Sequence, residues 1–228
     1  MTTSGARTGI RWWDVYGDES GWHECHSADR TLPEWITRHL MAPHPDLGRD
    51  GPVCPFVHHS AARHGIWAGV APGNPPADRM HAIVDDAIEA YGDLVRDGHN
   101  HPALVILFPE LTDCGRIDDV HGERKTEVVC RGWMLGQFYP GCTVPGLWNR
   151  QFHPLDAPLP MLVLRPMMST DFPFLVARSD WLYAYLTRVA PNLPRRLRWE
   201  IAERMRADGP EAADITALRA HSPGEHAR

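Results

Sequence analysis

Residues 103–108 read ALVILF, an unbroken apolar run, and that run constrains the rest of the chain more than any other feature. A strand without polar alternation offers no face to water, so both of its faces must be covered. The cover for one face is written just before it. From Asp78 to Arg96, the residues Met80, Ile83, Val84, Ala87, Ile88, Tyr91, Leu94 and Val95 recur at i, i+3 and i+4, and Gly98 stands where a helix ends. This spacing predicts a long amphipathic helix. IWAGVA at 66–71 reads as a strand broken by Asn74-Pro75-Pro76, and Pro109 closes the central strand. LTDCGRIDDVHGER reads as a polar turn region, and TEVV at 126–129 as a further strand.

The stretch from Val128 to Val176 holds two more apolar runs, Gly132–Phe138 and Pro160–Pro166. Short runs bounded by Pro and Gly suit buried strands. Between them lies a long loop with Pro140, Cys142, Pro145, Trp148, Asn149, His153 and Pro158. Loops of that length in compact domains are functional or disordered, and this one is too aromatic for a plain linker. Ser169, Thr170 and Asp171 offer N-cap oxygens for a helix from Phe172 to Ala190, and Leu197–Arg206 reads as another. Leu32, Trp35, Ile36, His39 and Leu40 are spaced as a short amphipathic helix over 31–40, with Thr31 as N-cap. The fold class is therefore α+β or mixed α/β, a single domain with a central sheet of about five strands packed by helices. Residues 29–208 are its expected span. A poorly ordered segment, 1–28, comes before it, and a polar tail, 209–228, follows.

The balance of 23 basic and 29 acidic residues, with no basic block, argues against nucleic acid as a partner. No apolar run reaches the length of a membrane span, and the N-terminus lacks a secretory h-region, so a cytoplasmic setting is expected. The five Cys are irregularly spaced without a Cys-x-x-Cys, which removes support for a disulfide framework or a structural zinc site. No Gly-x-Ser-x-Gly, P-loop or Gly-x-Gly-x-x-Gly occurs.

Several residues carry chemistry. Five Pro and Gly residues precede Cys54, so 41–65 reads as an extended, stiff loop, and Cys54 is followed by Pro55, Phe56 and the pair His58-His59. A thiolate or imidazole ligand is one reading of that segment, and a buried free thiol is the other. His44-x-Asp46 with a distal His153 would supply the two-His-one-carboxylate set of a non-heme iron oxygenase. His23-Glu24-Cys25-His26 matches no standard metal spacing and reads as a surface turn. Arg165 ends an apolar strand and needs a carboxylate, either from a ligand or from Asp171 or Asp156. Met134, Met161, Met167 and Met168 read as core packing.

The segments LGRDGPVCPFV, GWMLGQFYP, PGLWN and APLPMLVLRPMMSTDFPFL closely resemble a family of actinobacterial proteins encoded beside natural-product genes. That resemblance covers roughly residues 41–176. More distantly, the layout is similar to the YqcI/YcgG family, whose members include heme-dependent N-hydroxylases of free arginine. It is also similar in size to heme enzymes that oxidise the lysine side-chain amine.

The resemblance implies a heme-dependent oxygenase acting on an amine or free amino acid in secondary metabolism, with dioxygen and an electron donor as co-reactants. Heme b would sit between the Cys54 loop and the 138–153 loop. Cys54, His58, His59 and His153 are the candidate metal ligands. Arg49, Phe56, Trp133, Phe138 and Trp148 would hold the cofactor, and Tyr139, Asn149 and Arg165 are the catalytic candidates. The distant family carries His where this chain has Tyr139, which moves the ligand role away from that position. The alternative is a non-enzymatic domain whose Trp-bearing loop holds a small molecule or partner.

Overall fold

The computed structural model describes residues 3–17, 28–99 and 101–206. His23-Glu24-Cys25-His26 and the expected tail, 209–228, lie outside them. The sheet is mixed and six-stranded, in the order β1-β2-β3-β4-β6-β5. Its strands are β1 (Thr3–Ser4), β2 (Arg11–Asp14), β3 (Ile66–Val70), β4 (Ala103–Leu107), β5 (Trp133–Phe138) and β6 (Met161–Pro166). The two-residue β1 is an edge addition, so the five-strand expectation describes the body of the sheet. Residues 3–17 lie in the segment expected to be poorly ordered, yet they supply both of the first two strands.

Only β3 and β4 run parallel, joined through α3 (Ala77–Arg96), the long helix that the i, i+3, i+4 spacing predicts. Every residue of β4 is buried, as its continuous apolar run requires. On one face, α3 and α4 (Gly115–Cys130) pack Ile83, Tyr91, Ile117 and Val120 against Trp12, Leu104, Ile106 and Leu162. On the other, α1 (Ala28–Trp35), a π-helical turn (Ile36–Leu40) and α2 (Pro55–Ala61) bring Leu32, Ile36, Leu40 and Val57 onto Ile66, Ala68, Val105 and Met161. α5 (Ser179–Val189) and α6 (Arg195–Met205) close the end of β5 and β6 around Met134, Met167, Leu175 and Leu182. No helix among the described residues is long and apolar enough to cross a membrane.

Four local expectations are corrected. α4 replaces the polar turn and the strand expected over 111–129. Gly122 and a charged surface blur its stripe, although Ile117, Val120, Val128 and Val129 are all buried. Pro55–Ala61 is a helix rather than an extended loop, with Pro55 at the first helical position, where the missing N–H costs nothing. The expected helix over 31–40 begins earlier, so Thr31 is not its cap. The expected helix from Phe172 splits into a 3₁₀ segment (Ser169–Phe174) and α5, because the Asp171 carboxylate is committed to the Met168 N–H and to Arg165.

Candidate functional site

The apolar stripe of α1 and its π-helical turn buries Leu32, Ile36 and Leu40 and leaves Trp35 and His39 on the flank. Their rings stack, 5.8 Å between centroids and 18° apart in plane. Facing them is the long loop after β5, folded back on itself. Tyr139 bridges Asp156, the Gly141 N–H donates to Asp156 Oδ1 at 2.8 Å, and the Gly146 N–H donates to the Phe152 carbonyl at 2.7 Å. The third wall is the 43–52 turn, closed by a bridge between Pro43 and Pro52 and carrying His44. Together they enclose an open cleft of about 560 Å³, lined by Trp35, His39, His44 and Pro140 and by residues 151–153 and 156–158.

The cleft's polar groups are not all satisfied. His39 Nε2 is buried and has no hydrogen-bond partner. With no partner to fix it as a donor, Nε2 offers a lone pair whenever the ring carries its proton on Nδ1. Burial, then the neighbouring His44, hold the His39 pKa below the ordinary imidazole value, so this lone pair is free at neutral pH. His44 lies edge-on to His39 at 6.1 Å and tilts over Phe152 at 4.6 Å. Its Nδ1 accepts from the Asp46 N–H at 3.2 Å, which makes Nε2 the donor of a neutral ring. Asp156 spends one carboxylate oxygen on Gly141 and keeps the other open. One bare acceptor, one ring donor and one half-used carboxylate can take a small polar group, above all an amine.

A second open cleft, about 620 Å³, adjoins the first and shares His44 with it. Pro43, Pro45, Gly48, Arg49, Asp50 and Gly51 line it. On the rim of the second cleft Gly48, with φ +78°, lies so close to the Trp148 backbone that a Cβ would sit 3.0 Å from its carbonyl. Only glycine fits there. Asn149 reinforces the contact by donating from Nδ2 to the Asp46 carbonyl at 2.8 Å.

A family model described as Domain of unknown function (DUF6875) matches residues 29–200. This chain belongs to that family. No curated protein and no solved structure matches it.

Within this DUF6875 domain, the expected site residues separate. His153 and His44 line the first cleft and Arg49 lines the second. Asn149 and Trp148 line neither cleft and instead hold their loop against Asp46 and Gly48. Cys54 packs on the apolar sheet face beneath α2, its N–H bonded to the Leu40 carbonyl at 2.9 Å, and burial pushes its thiol pKa up. His58 bonds the Met41 carbonyl at 2.7 Å, and exposed His59 pairs with Arg63 and lies near His101. Phe56 packs beside Cys54. Arg165 forms a two-pronged ion pair with Asp171, 2.7 Å at each contact. Tyr139 donates to Asp118 Oδ2 at 2.6 Å, away from the cleft.

These positions do not make a slot for heme. Trp133 and Phe138 are an odd number of residues apart on one strand, so they project from opposite faces of the sheet. The candidate axial donors Cys54, His58 and His59 do not line either cleft. Arg165, a catalytic candidate in need of a carboxylate, is already paired with Asp171. His44 offers Asp46 its Nδ1, and among the described residues no group of three or more His, Cys, Asp or Glu could hold a metal ion. Sequence spacing placed His39 on the apolar stripe and gave it no role, weighed Asp156 only as a partner for Arg165, and passed over Phe152. A histidine on an otherwise apolar helical face was the one signal that could have found the site.

Proposed function

We propose that this domain binds a small-molecule amine or amino acid in the histidine-lined cleft, with His39 accepting a hydrogen bond from its amino group. The observation that carries this reading is the unpartnered, buried His39 Nε2. An orphaned buried nitrogen costs the fold about 1–3 kcal/mol, and a ligand N–H relieves that cost on binding. The open oxygen of Asp156 supports the reading by offering a counter-charge to an ammonium group. Trp35 and Phe152 supply apolar walls. The heme-dependent N-oxygenation implied by the resemblance acts on the same substrate class. It is not carried further, because the residues expected to hold the macrocycle do not surround one void.

The test is NMR of the full chain with ¹³C-labelled histidines, titrated with hexylamine and with the standard amino acids at millimolar concentration. The expected result is a saturable, concerted shift of the His39 and His44 ring resonances, weaker in acid, where His39 becomes protonated. Ring resonances of His39 that titrate identically with and without every probe would overturn the proposal.

A further inference from the structure

The second cleft gives the ligand another end. Arg49 projects from the 43–52 turn with its guanidinium held by main-chain oxygens alone. Nη1 donates to the Asp50 carbonyl at 2.9 Å, and Nη2 donates to the carbonyls of Pro52 at 2.9 Å and Val53 at 3.2 Å. Carbonyl dipoles fix the group's orientation but leave its charge uncancelled. No carboxylate pairs with it among the described residues, whereas Arg7, Arg124, Arg165 and Arg178 each have such a partner. A guanidinium carries five N–H donors, so Nε–H and one Nη1–H remain without a protein acceptor. Gly48 and Gly51, with φ of +78° and +90°, flank it and keep side chains off this rim of the cleft.

From this arrangement we infer that Arg49 is an acid-binding subsite, and that the ligand is an extended molecule lying across His44, with its amine at His39 and a carboxylate or phosphate at Arg49. The inference rests on the amine-binding reading above. His44 lines both clefts, which makes them neighbours and puts its ring between the two ends of such a ligand. Asp50 also lines the second cleft, but it touches Arg49 only through its main-chain oxygen, and its exposed carboxylate is screened by solvent. Asp46 is likewise turned to water, its carboxylate 3.9 Å from His44 Nδ1.

The test uses the full chain and three probes of matched length: aminocaproate, which has both ends; hexylamine, which lacks the acid; and caproate, which lacks the amine. Binding is followed by the His39 and His44 ring resonances. Aminocaproate is expected to bind about tenfold more tightly than hexylamine, the effect of one charge-assisted contact. Arg49→Met should erase that difference while leaving hexylamine affinity unchanged. Replacing aminocaproate with aminohexylphosphonate shows which acid the subsite prefers. If hexylamine shifts both rings but the acid adds nothing and Arg49→Met is silent, the subsite is refuted and the amine-binding reading stands. If no probe moves His39, both fall. A urea-denaturation midpoint for Arg49→Met, together with its retained hexylamine response, guards against misreading a folding defect.

Discussion

Two buried polar groups on opposite sides of the sheet are treated in opposite ways. Asp86, on α3, has a side chain with 0% exposure and accepts four hydrogen bonds, from the N–H and guanidinium of Arg7 and from the N–H and hydroxyl of Thr8. Nothing about it is left open. It clips the turn between β1 and β2 to the helix, and a Cβ on Gly5 would collide with it. His39 is enclosed as well, yet its Nε2 meets no partner. Burying a polar atom and pairing it stabilises a scaffold, whereas burying one and leaving it unpaired destabilises the fold. Trp12 Nε1 and Trp67 Nε1 in the core are also unpartnered, and what sets His39 apart from them is that it lines a cleft.

Substitutions that remove paired groups should therefore destabilise, and removal of the unpaired one should not. The largest effect is expected at Asp171, whose side chain has 4% exposure and satisfies both Arg165 and the Met168 N–H. Asp171→Ala strands a half-buried guanidinium and should cost about 3 kcal/mol, read as a lower midpoint in urea denaturation. Asp86→Ala should cost about 2 kcal/mol, less because the Arg7 side chain is 45% exposed and regains water.

Burial alone would raise the Asp86 pKa, but the hydrogen bonds from Thr8 and Arg7 outweigh it and hold the value below 3.8. Its contribution is therefore complete above that ordinary value and is lost as the pH falls through the folded one. Asp86→Asn should remove this acid dependence. His39→Phe reverses the sign. The ring keeps its stack on Trp35 and loses the orphan nitrogen, so stability should rise by about 1 kcal/mol while amine binding disappears. A loss of stability in this variant would break the comparison.

At neutral pH the smallest change is expected from His121→Gln. Burial, then Lys125, push the His121 pKa down from 6.5 to about 4 while its Nε2 bonds the Leu135 carbonyl. The folded state holds that ring neutral where the unfolded chain would protonate it. The native protein should accordingly lose stability as pH falls from 6.5 to about 4, and the variant should show a shallower decline.

What could be read from the sequence follows the strength of each local signal. β4 and α3 were plain because burial on every side, or on one continuous stripe, writes itself into consecutive residues. α4 was hidden because Gly122 and the charges around it weaken its stripe, and its packing against β5 and α5 supplies what propensity does not. Part of the Trp-bearing loop lines the first cleft, at residues 151–153 and 156–158. The residues expected to gather around one cofactor lie apart because a thiol, imidazoles and aromatic side chains on neighbouring segments can still face different ways. Face assignment depends on strand register and on the start of α2, neither of which spacing alone decides. Arg165 illustrates the same limit. Its two possible partners, a ligand or Asp171, look alike until the chain is folded.

The close approach of Gly48 to the main chain at Trp148 has a consequence for the rim of the second cleft. Main chain against main chain cannot breathe as side chains do, so the 43–52 turn is held at a fixed distance from the loop that carries Trp148. A larger residue at position 48 should push those two segments apart before it alters any other side chain of that rim.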